Sequence, residues 1–412
     1  MEKTNQGFHG DPGKPGFRNV YAMGLVSFFT DVSTEMVTGY LPVFIVRDLG
    51  GTKTILGLIE GAGELANNFF RMVSGFLSDR LGKRKPLVFA GYAFSTVSKP
   101  LFAVSATPVD ALSVRVMDRT GKGIRTSPRD ALLSQSVDEK TTGKAFGLHR
   151  TLDQLGAILG PLLATILLPL IGPRLLFIAS FIPGVIALLI LWFFVVDVKT
   201  APRRSQLLKG ASRVMNSDFL LLLAILAVFG VGCYDFSFIL VRSAELGFTP
   251  DLVPLVYMAI NLFHTAVGYP AGVLSDRIGR EPLLSTSFLL FSLTSLVFAY
   301  SSGLYAIVLL IVFYGLYFGI YETVSRALVP KYAPSELRGT AYGLFYIVVG
   351  LANLAGMSLV GFIWDNAGRT QAFTYSMLTG IIATILACFL VIRSRRNLAK
   401  KTLLARPGEK TS

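Results

Sequence analysis

The sequence has few charged residues, three histidines and two cysteines, and each shortage excludes a class of protein. Lys, Arg, Asp and Glu make up only 16% of its 412 residues, whereas a soluble domain has about 25%, so an ordinary soluble enzyme is excluded. Cys233 and Cys388 both lie inside apolar segments, which excludes the disulfide framework of a small secreted protein. His9, His149 and His264 lack metal-ligand spacing, so we expect neither a metal nor a cofactor.

The charge that is present is unbalanced, because 39 Lys and Arg residues stand against 25 Asp and Glu, a net charge of +14. Such a balance is typical of nucleic-acid-binding proteins, but those lack repeated apolar runs of twenty residues, so we expect no nucleic-acid partner. A helix that crosses a membrane needs about 20 apolar residues. Twelve segments meet that requirement and are numbered here as spans one to twelve: 17–46, 54–78, 86–106, 109–134, 143–169, 173–196, 218–246, 251–274, 283–300, 303–329, 338–364 and 370–392.

The basic residues lie mostly in the connections on one side of these spans. With twelve spans both termini share a side, and the connections, tails and adjoining span ends there contain 25 Lys and Arg residues against 4 on the opposite side. Lys and Arg accumulate in cytoplasmic loops, and the first sixteen residues lack the pattern of a secretory signal peptide. We therefore predict an integral protein of the plasma membrane, the inner membrane in a bacterium, with both termini in the cytoplasm.

The two halves of the sequence repeat. The segment 75–83 reappears as 272–280, 197 residues later, and two further landmarks recur at offsets of 196 and 195. Those landmarks are Gly143 and Gly147 with Gly339 and Gly343, and Val46-Arg47 with Val241-Arg242. The repeat predicts two parallel six-helix bundles. The predicted domains are a first bundle at 1–196, a cytoplasmic linker at 197–217, a second bundle at 218–392 and a basic cytoplasmic tail at 393–412.

The repeated loop segment is G-x-L-S-D-R-x-G-[KR], and with twelve spans in a 6+6 repeat it resembles the major facilitator superfamily. The matching residues are Gly75, Asp79, Arg80, Gly82, Lys83 and Arg84, then Gly272, Asp276, Arg277, Gly279 and Arg280 in the second copy, where Glu281 replaces Arg84. The resemblance implies an all-α fold of twelve membrane helices in two bundles, and a transporter that works by alternating access. It also implies that the motif is a conformational latch, and Asp79 is suited to cap a neighbouring helix N-terminus.

A second motif lies in span five. Gly156-Ala-Ile-Leu-Gly160-Pro161 is similar to the G-x-x-x-G-P of the drug–proton antiporter branch, although the glycine pair that follows it there is absent. Arg115 with Gly121 resembles the family's span-four arginine motif, with Arg119 in place of an intermediate glycine. These partial matches imply proton-coupled export, and they do not favour a hydrophobic drug as the substrate.

Ionisable side chains at the bilayer centre cost about 2.5–3.5 kcal/mol each, so each one inside a span is a functional hypothesis. The interiors of spans six, nine and twelve contain none, and span three contains only Lys99. The resemblance implies that these four spans lie on the lipid-facing outside. The buried charges lie instead in spans one, two, four, five, seven and ten.

Span four has the most unusual sequence, because four of its bases follow steps of four, three and seven and so share one helical face. These bases are Arg115, Arg119, Lys122 and Arg129, and Arg125 lies in the same span. Guanidinium groups suit carboxylate and phosphate, so we predict that Arg115, Arg119 and Arg125 bind an anionic substrate. The alternative is neutralisation by acids on neighbouring helices, with a structural or gating role.

Acids in spans one and two occur in pairs four residues apart, Asp31 with Glu35 and Glu60 with Glu64. Two carboxyl groups close together in a low dielectric resist double ionisation, so one of them binds a proton more readily. We predict that Asp31, Glu35 and Glu64 couple transport to protons. The alternative is a permanent ion pair with Arg71 or Arg115 that joins spans one, two and four.

The second half contains fewer buried charges, chiefly Asp235 and Glu322. Tyr317 and Tyr321 precede Glu322 along span ten, and we predict that these three residues contact a polar substrate. The alternative for the tyrosines is helix packing. Asn261 and His264 are weaker candidates, and we predict that His149, Arg150 and Asp153 form a gating cluster.

Together these patterns predict a monomeric secondary active transporter that exports a small polar solute, anionic or zwitterionic, in exchange for protons. A lipid or lysolipid flippase with a charged headgroup cavity and an uptake symporter for an organic anion remain alternatives. No G-x-x-x-x-G-K-[ST] loop occurs, so the energy should come from an ion gradient. A membrane enzyme would need a nucleophile–base or metal cluster, which the few histidines and cysteines do not provide.

Overall fold

The computed structural model describes residues 15–198, 211–334 and 337–405, and this part of the chain is helical with no strand. Short π-helical and 3₁₀ turns at 44–48, 99–104 and 139–141 supplement the α-helices. The α-helices are α1 Phe17–Thr38, α2 Leu41–Val43, α3 Lys53–Leu81, α4 Lys85–Ser98, α5 Pro108–Gln135, α6 Thr142–Ala179, α7 Phe181–Phe194, α8 Ala211–Val214, α9 Ser217–Gly230, α10 Phe236–Glu245, α11 Val253–Ile278, α12 Arg280–Tyr300, α13 Leu304–Tyr332, α14 Arg338–Ala367 and α15 Arg369–Ala405.

The predicted all-α membrane fold is confirmed. Six stretches of helix within the described residues are long and apolar enough to cross a membrane, and α9 is a shorter apolar helix. The count of twelve spans stays a prediction, and two of the predicted spans are interrupted. Span one breaks after α1 at Gly39, and span seven is divided into α9 and α10 by the non-helical stretch 231–235.

Spans five and six meet at a kink within their predicted boundary, residues 170–172. Non-helical backbone at Gly172, where φ is +74°, interrupts α6, which continues beyond it to Ala179. Glycine has no Cβ and adopts positive φ without strain, and Pro173 follows it in the sequence. The connection between the two spans is therefore a kink inside one helical stretch rather than an open loop.

The chain folds into two compact units. Unit 1 comprises Met1–Leu207 and Ser237–Asn261, and unit 2 comprises Leu208–Phe236 and Leu262–Ser412. Helix α10 and the start of α11 thus pack in unit 1, although the sequence repeat assigns them to the second bundle. The predicted linker at 197–217 and the basic tail at 393–412 lie partly outside the described residues, as does most of the polar N-terminal segment 1–16.

Helix pairs in one unit have counterparts in the other. In unit 1, α1 packs along α6, and α4 packs against α7; in unit 2, α9 packs against α14, and α12 against α15. These are spans one with five and three with six, then seven with eleven and nine with twelve. The same partners in both units are the packing expected of a six-helix repeat.

Glycines allow the closest of these approaches. A Cβ atom at Gly156 of α6 would overlap the carbonyl oxygen of Phe28 in α1, and one at Gly160 would lie 2.9 Å from the carbonyl oxygen of Val32. In unit 2, a Cβ atom at Gly356 of α14 would overlap the carbonyl oxygen of Gly230. Small residues allow membrane helices to pack backbone to backbone, so the G-x-x-x-G of span five is a packing surface for α1.

Candidate functional site

Helix α5 brings the bases of span four into the interior of unit 1. It begins with a capping box in which the Thr107 hydroxyl accepts a hydrogen bond from the Asp110 amide and the Asp110 carboxylate accepts one from the Thr107 amide. Gly63 of α3 has no side chain, so the stems of Arg119 and Arg115 pack closely on it. A Cβ atom at Gly63 would lie 3.0 Å and 3.3 Å from their Cγ atoms.

Arg115 is held by an ion pair between α5 and α3. Its Nε and Nη2 donate to one oxygen of Glu60 at 3.0 and 2.6 Å, and the two side chains are only 1% and 3% exposed. Asp118 lies 3.9 Å from the same guanidinium group. The sequence alternative of a permanent ion pair with Arg115 therefore describes Glu60, whose contact makes Arg115 a neutralised residue that joins α5 to α3.

The other end of the basic face is also neutralised. Arg129 donates from Nε and Nη2 to the carboxylate of Asp130 at 3.0 and 2.9 Å, and Arg71 of α3 lies 3.9 Å from the same carboxylate. The alternative of neutralisation by acids therefore describes Arg115 and Arg129, at the two ends of the face.

The middle of α5 differs from its ends. Arg119, Lys122 and Arg125 form no ion pair within 4 Å in the described part of the chain. Arg125 is only 4% exposed, its guanidinium carbon lies 4.4 Å from the centre of the Tyr92 ring, and its Nε and Nη1 find no hydrogen-bond partner among the described residues. A buried cation without a hydrogen-bonded counter-charge is costly, so this stretch favours an incoming anion.

Asp31 and Asp153 bring two carboxyl groups together, one from α1 and one from α6. The two carboxyl groups are close enough to interact electrostatically, and Asp153 accepts hydrogen bonds from Ser27 Oγ at 2.6 Å and from Arg150 Nη1 at 3.0 Å. Two carboxyl groups close together in a low dielectric resist double ionisation, so the pair is suited to bind one proton. Asp153, expected only in a gating cluster, is thus the direct partner of Asp31.

Glu35, one turn further along α1, has a different partner. Its Oε2 accepts a hydrogen bond of 2.5 Å from the hydroxyl of Tyr257, which lies in the part of α11 that belongs to unit 1. Arg119 and Lys122 of α5 interact electrostatically with Glu35. The (i, i+4) spacing correctly placed Asp31 and Glu35 on one face of α1, but each carboxyl group has its own partner from another helix.

Glu64 and Lys99 complete the charged interior of unit 1. Glu64 interacts electrostatically with Arg119, and Asn67 Nδ2 lies 3.5 Å from its carboxylate oxygens. The ammonium group of Lys99 is buried and donates to Thr34 Oγ1 at 3.2 Å. Unit 1 therefore brings together the three acids predicted to couple protons and the bases in the middle of α5.

The first copy of the loop motif connects α3 with α4. Asp79 forms a salt bridge of 2.8 Å with Arg84, which also contacts the Ser78 hydroxyl. The N-terminus of α4 is capped by Asp197, whose Oδ1 accepts from the backbone amides of Arg84 and Lys85 at 3.1 and 3.0 Å. Within the described residues the cap is thus Asp197, which the sequence prediction missed, and Asp79 pairs with the motif's own arginine.

Glycines shape the same loop. Gly82 ends α3 in the left-handed region, with φ +63°, where a Cβ atom would be strained. Gly75 faces α5, and a Cβ atom there would lie 3.2 Å from Ser127 Cβ. Arg80 is exposed.

The second copy of the motif has the opposite charge at its last position. Asp276 and Arg277 are exposed, whereas Glu281 is buried and accepts hydrogen bonds from Lys331, Tyr332 and Ser394. Burial raises the pKa of Glu281, but the hydrogen bonds from Lys331 and Tyr332 outweigh it and lower the pKa below its ordinary value. The replacement of Arg84 by Glu281 thus builds a different clamp, one that joins α12, α13 and α15.

Unit 2 contains the remaining predicted substrate residues. Glu322 of α13 contacts His264 Nε2 at 2.8 Å and Arg326 Nη2 at 3.1 Å. Tyr317 is 2% exposed and packs against Phe229 and Phe291. Their ring centroids lie 5.9 and 5.0 Å from that of Tyr317.

Tyr321 is half-buried, with its ring centroid 5.4 Å from that of Phe229. The alternative of helix packing therefore describes Tyr317 well. His264 was only a weak candidate in the sequence, but it contacts Glu322 directly.

Sequence comparison agrees with this architecture. The profile of the Major Facilitator Superfamily matches residues 23–239 and 220–410. The chain belongs to the major facilitator superfamily. It is 32% identical over 383 residues to an uncharacterised MFS-type transporter of Methanocaldococcus jannaschii, covering 90% of this chain and 95% of that one.

A probable 4-methylmuconolactone transporter of Cupriavidus pinatubonensis is 26% identical over 387 residues, covering 88% of this chain and 87% of that one. The crystal structure of a mutant of the nucleoside transporter NupG matches the fold with a TM-score of 0.77 at 14% identity. That match covers 90% of this chain and 99% of the other. The protein is therefore an integral membrane transporter of this superfamily and not an enzyme.

Proposed function

We propose that this transporter exports a small organic anion or zwitterion in exchange for protons, with both termini in the cytoplasm of the cell. The observation that supports it best is that Asp31 of α1 and Asp153 of α6 bring two carboxyl groups close enough to interact electrostatically inside unit 1. A carboxyl pair that gains and loses one proton during the cycle is what proton coupling needs. Glu35 and Glu64 extend this acidic group within unit 1.

The bases in the middle of α5 support an anionic substrate. Arg119, Lys122 and Arg125 have no ion pair within 4 Å in the described part of the chain, in contrast to Arg115. We assign Arg119 and Arg125 to the substrate carboxylate or phosphate, since guanidinium groups bind both in a bidentate manner. Arg115, already held by Glu60, positions Arg119 through their shared packing on Gly63.

In unit 2 we assign Glu322 and Tyr321 to a positively charged or hydroxyl group of the substrate, with Tyr317 supporting Tyr321 from the aromatic cluster. A substrate that engages both sets of residues is zwitterionic. The relative named as a probable 4-methylmuconolactone transporter supports a small organic solute. Export is supported by the similarity of Gly156 to Pro161 to the drug–proton antiporter motif.

The experiment has two stages. Thermal-shift screening of the purified protein against anionic, zwitterionic and neutral metabolites identifies a ligand, with phosphatidylglycerol and its lyso form included to detect a flippase. Reconstituted vesicles then measure uptake of that labelled ligand driven by a proton gradient, and counterflow exchange without one. We expect Asp31→Asn to keep exchange and lose gradient-driven accumulation; unchanged accumulation would show that Asp31 does not couple protons.

Arg119→Ala tests the substrate class in the same vesicles. Because a charge-assisted bidentate contact is lost, we expect affinity for the anion to fall about tenfold or more with little change for a neutral analogue. Lys144→Ala, which removes an exposed base outside the loop motif and the predicted site, controls for a general loss of positive charge. Equal losses for charged and neutral ligands would contradict an anion site on α5.

A further inference from the structure

One hydrogen bond inside unit 1 joins the two sequence repeats. The hydroxyl of Tyr257, from span eight, donates to Glu35 of span one over 2.5 Å. Tyr257 is buried and Glu35 is half-buried, so water competes little for this bond. The bond therefore depends strongly on the charge of the carboxyl group, because a hydrogen bond to an ionised acceptor is about twice as strong as a neutral one.

The surroundings of this bond show where it acts. One turn along α1, a Cβ atom at Gly39 would lie 3.1 Å from Pro254 Cβ, at the start of α11. Nearby in the same unit, Lys53 at the start of α3 pairs with Glu245 at the end of α10 at 3.3 Å. The segment 237–261 thus meets α1 and α3 at the end of unit 1 that the charge pattern predicts to face outside.

Several charged groups surround Glu35. Lys99, Arg119 and Lys122 interact with its carboxyl group electrostatically, and so does Asp31 on α1 itself. The residue of α6 that packs against Glu35 is Gly160, which has no charge, and α7 contains no ionisable residue. A substrate anion that binds Arg119 would therefore weaken the electrostatic attraction between Arg119 and the carboxylate of Glu35.

We propose that Tyr257 is a positioning residue that ties span eight to span one through ionised Glu35, and that protonation of Glu35 releases this tie so that the two spans separate. The proposal rests on the proton coupling proposed above and adds a physical step to it. The ionised carboxylate holds the end of α1 against α11. A proton on Glu35 converts the contact to a neutral hydrogen bond, so the segment 237–261 is held less strongly against α1, although the close approach of Gly39 to Pro254 and the Lys53–Glu245 pair persist.

Spin labels at two exposed positions of unit 1, Arg47→Cys and Thr249→Cys, measure the separation directly. The background is Cys233→Ser/Cys388→Ser, and distance distributions are recorded in lipid at about pH 8 and at about pH 5, above and near the ordinary range of carboxyl pKa values. We expect acidification to raise the ratio of the longer to the shorter distance about fivefold to tenfold, the difference between a charged and a neutral hydrogen bond.

Two variants and one matched control make the result specific. Tyr257→Phe and Glu35→Gln should both show the longer distance already at about pH 8 and lose the pH dependence. Tyr40→Phe removes another buried tyrosine hydroxyl that donates to a carboxylate, Asp48, but within the first repeat, and should behave like the unsubstituted protein. A Tyr257→Phe variant with the full pH dependence would overturn the proposal.

This test is separable from the test of the proposed function. If Asp31→Asn loses gradient-driven accumulation while the distance between labels at positions 47 and 249 does not change with pH, proton coupling stands and the proposed role of Tyr257 is wrong. If the distance responds to pH through Tyr257 but transport does not depend on a proton gradient, the tie stands and the proposed coupling is wrong.

Discussion

Replacing Glu60 by glutamine should destabilise the protein strongly, because it leaves the guanidinium group of Arg115 buried without its main counter-charge. The pair is 1% and 3% exposed and is joined by contacts of 3.0 and 2.6 Å, and the nearest remaining acid, Asp118, is 3.9 Å away. Removing one partner of such a buried pair costs about 3–5 kcal/mol. We expect a loss of that size in the free energy of unfolding.

Thermal and denaturant unfolding of the purified protein in one detergent measures this loss. Removing both charges, as in Glu60→Gln/Arg115→Met, should recover most of it, because the cost comes from the uncompensated charge rather than from the missing pair. The matched control is Arg393→Ala, which breaks a more exposed pair with Asp218 and should cost less than about 1 kcal/mol. A Glu60→Gln variant as stable as the Arg393→Ala control would refute the claim that Arg115 is held by a buried ion pair.

Three further outcomes follow from the packing and the loop motif. Gly156→Ala should separate α1 from α6 and abolish transport, while Gly143→Ala, with no atom within 4 Å of its added methyl group, should be tolerated in the same vesicle assay. Asp79→Asn should abolish transport while membrane insertion and folding persist, and normal turnover would show that the motif is not a latch. Glu281→Gln should lower thermal stability near neutral pH. The difference from the wild type should shrink as the pH falls through the lowered pKa of Glu281, because the wild-type carboxylate is then protonated too. A difference that is constant with pH would contradict the clamp.

The fold was predictable because it depends on properties that a sequence displays directly. Apolar runs of membrane length, the excess of Lys and Arg in the connections on one side and the repeat offset near 197 residues are visible in the sequence without knowledge of tertiary contacts. The breaks inside the predicted spans were harder to predict. Gly39 and the stretch 231–235 interrupt spans whose average hydropathy is high, and a window average does not detect a short loss of helical hydrogen bonds.

The partners of the charged residues were not predictable from spacing. An (i, i+4) interval places Asp31 and Glu35 on one face of α1, but it does not say which helix covers that face. The structure supplies Asp153 from α6 and Tyr257 from α11, both far away in the sequence. An ion pair with Arg115 was among the alternatives for these acids, but the spacing did not say that Glu60 would be the one to form it.

The glycine motif shows how a resemblance and a packing surface explain the same residues. The sequence match assigns Gly156 and Gly160 to a transporter branch. The structure shows what the two positions do locally: they allow α6 to approach α1 at Asp31 and Glu35, with Cβ positions 3.0 and 2.9 Å from those of the two acids. The motif therefore brings the two carboxyl groups close to α6.

The most direct test of proton coupling counts protons on the purified protein. Adding the ligand found in the screen to a weakly buffered sample should change the bulk pH, because an anion bound beside Arg119 alters the proton affinity of the Asp31–Asp153 pair. We expect a proton exchange of up to one per binding event in the unsubstituted protein, absent in both Asp31→Asn and Asp153→Asn although the ligand still binds. A proton exchange of unchanged size in both variants would contradict it.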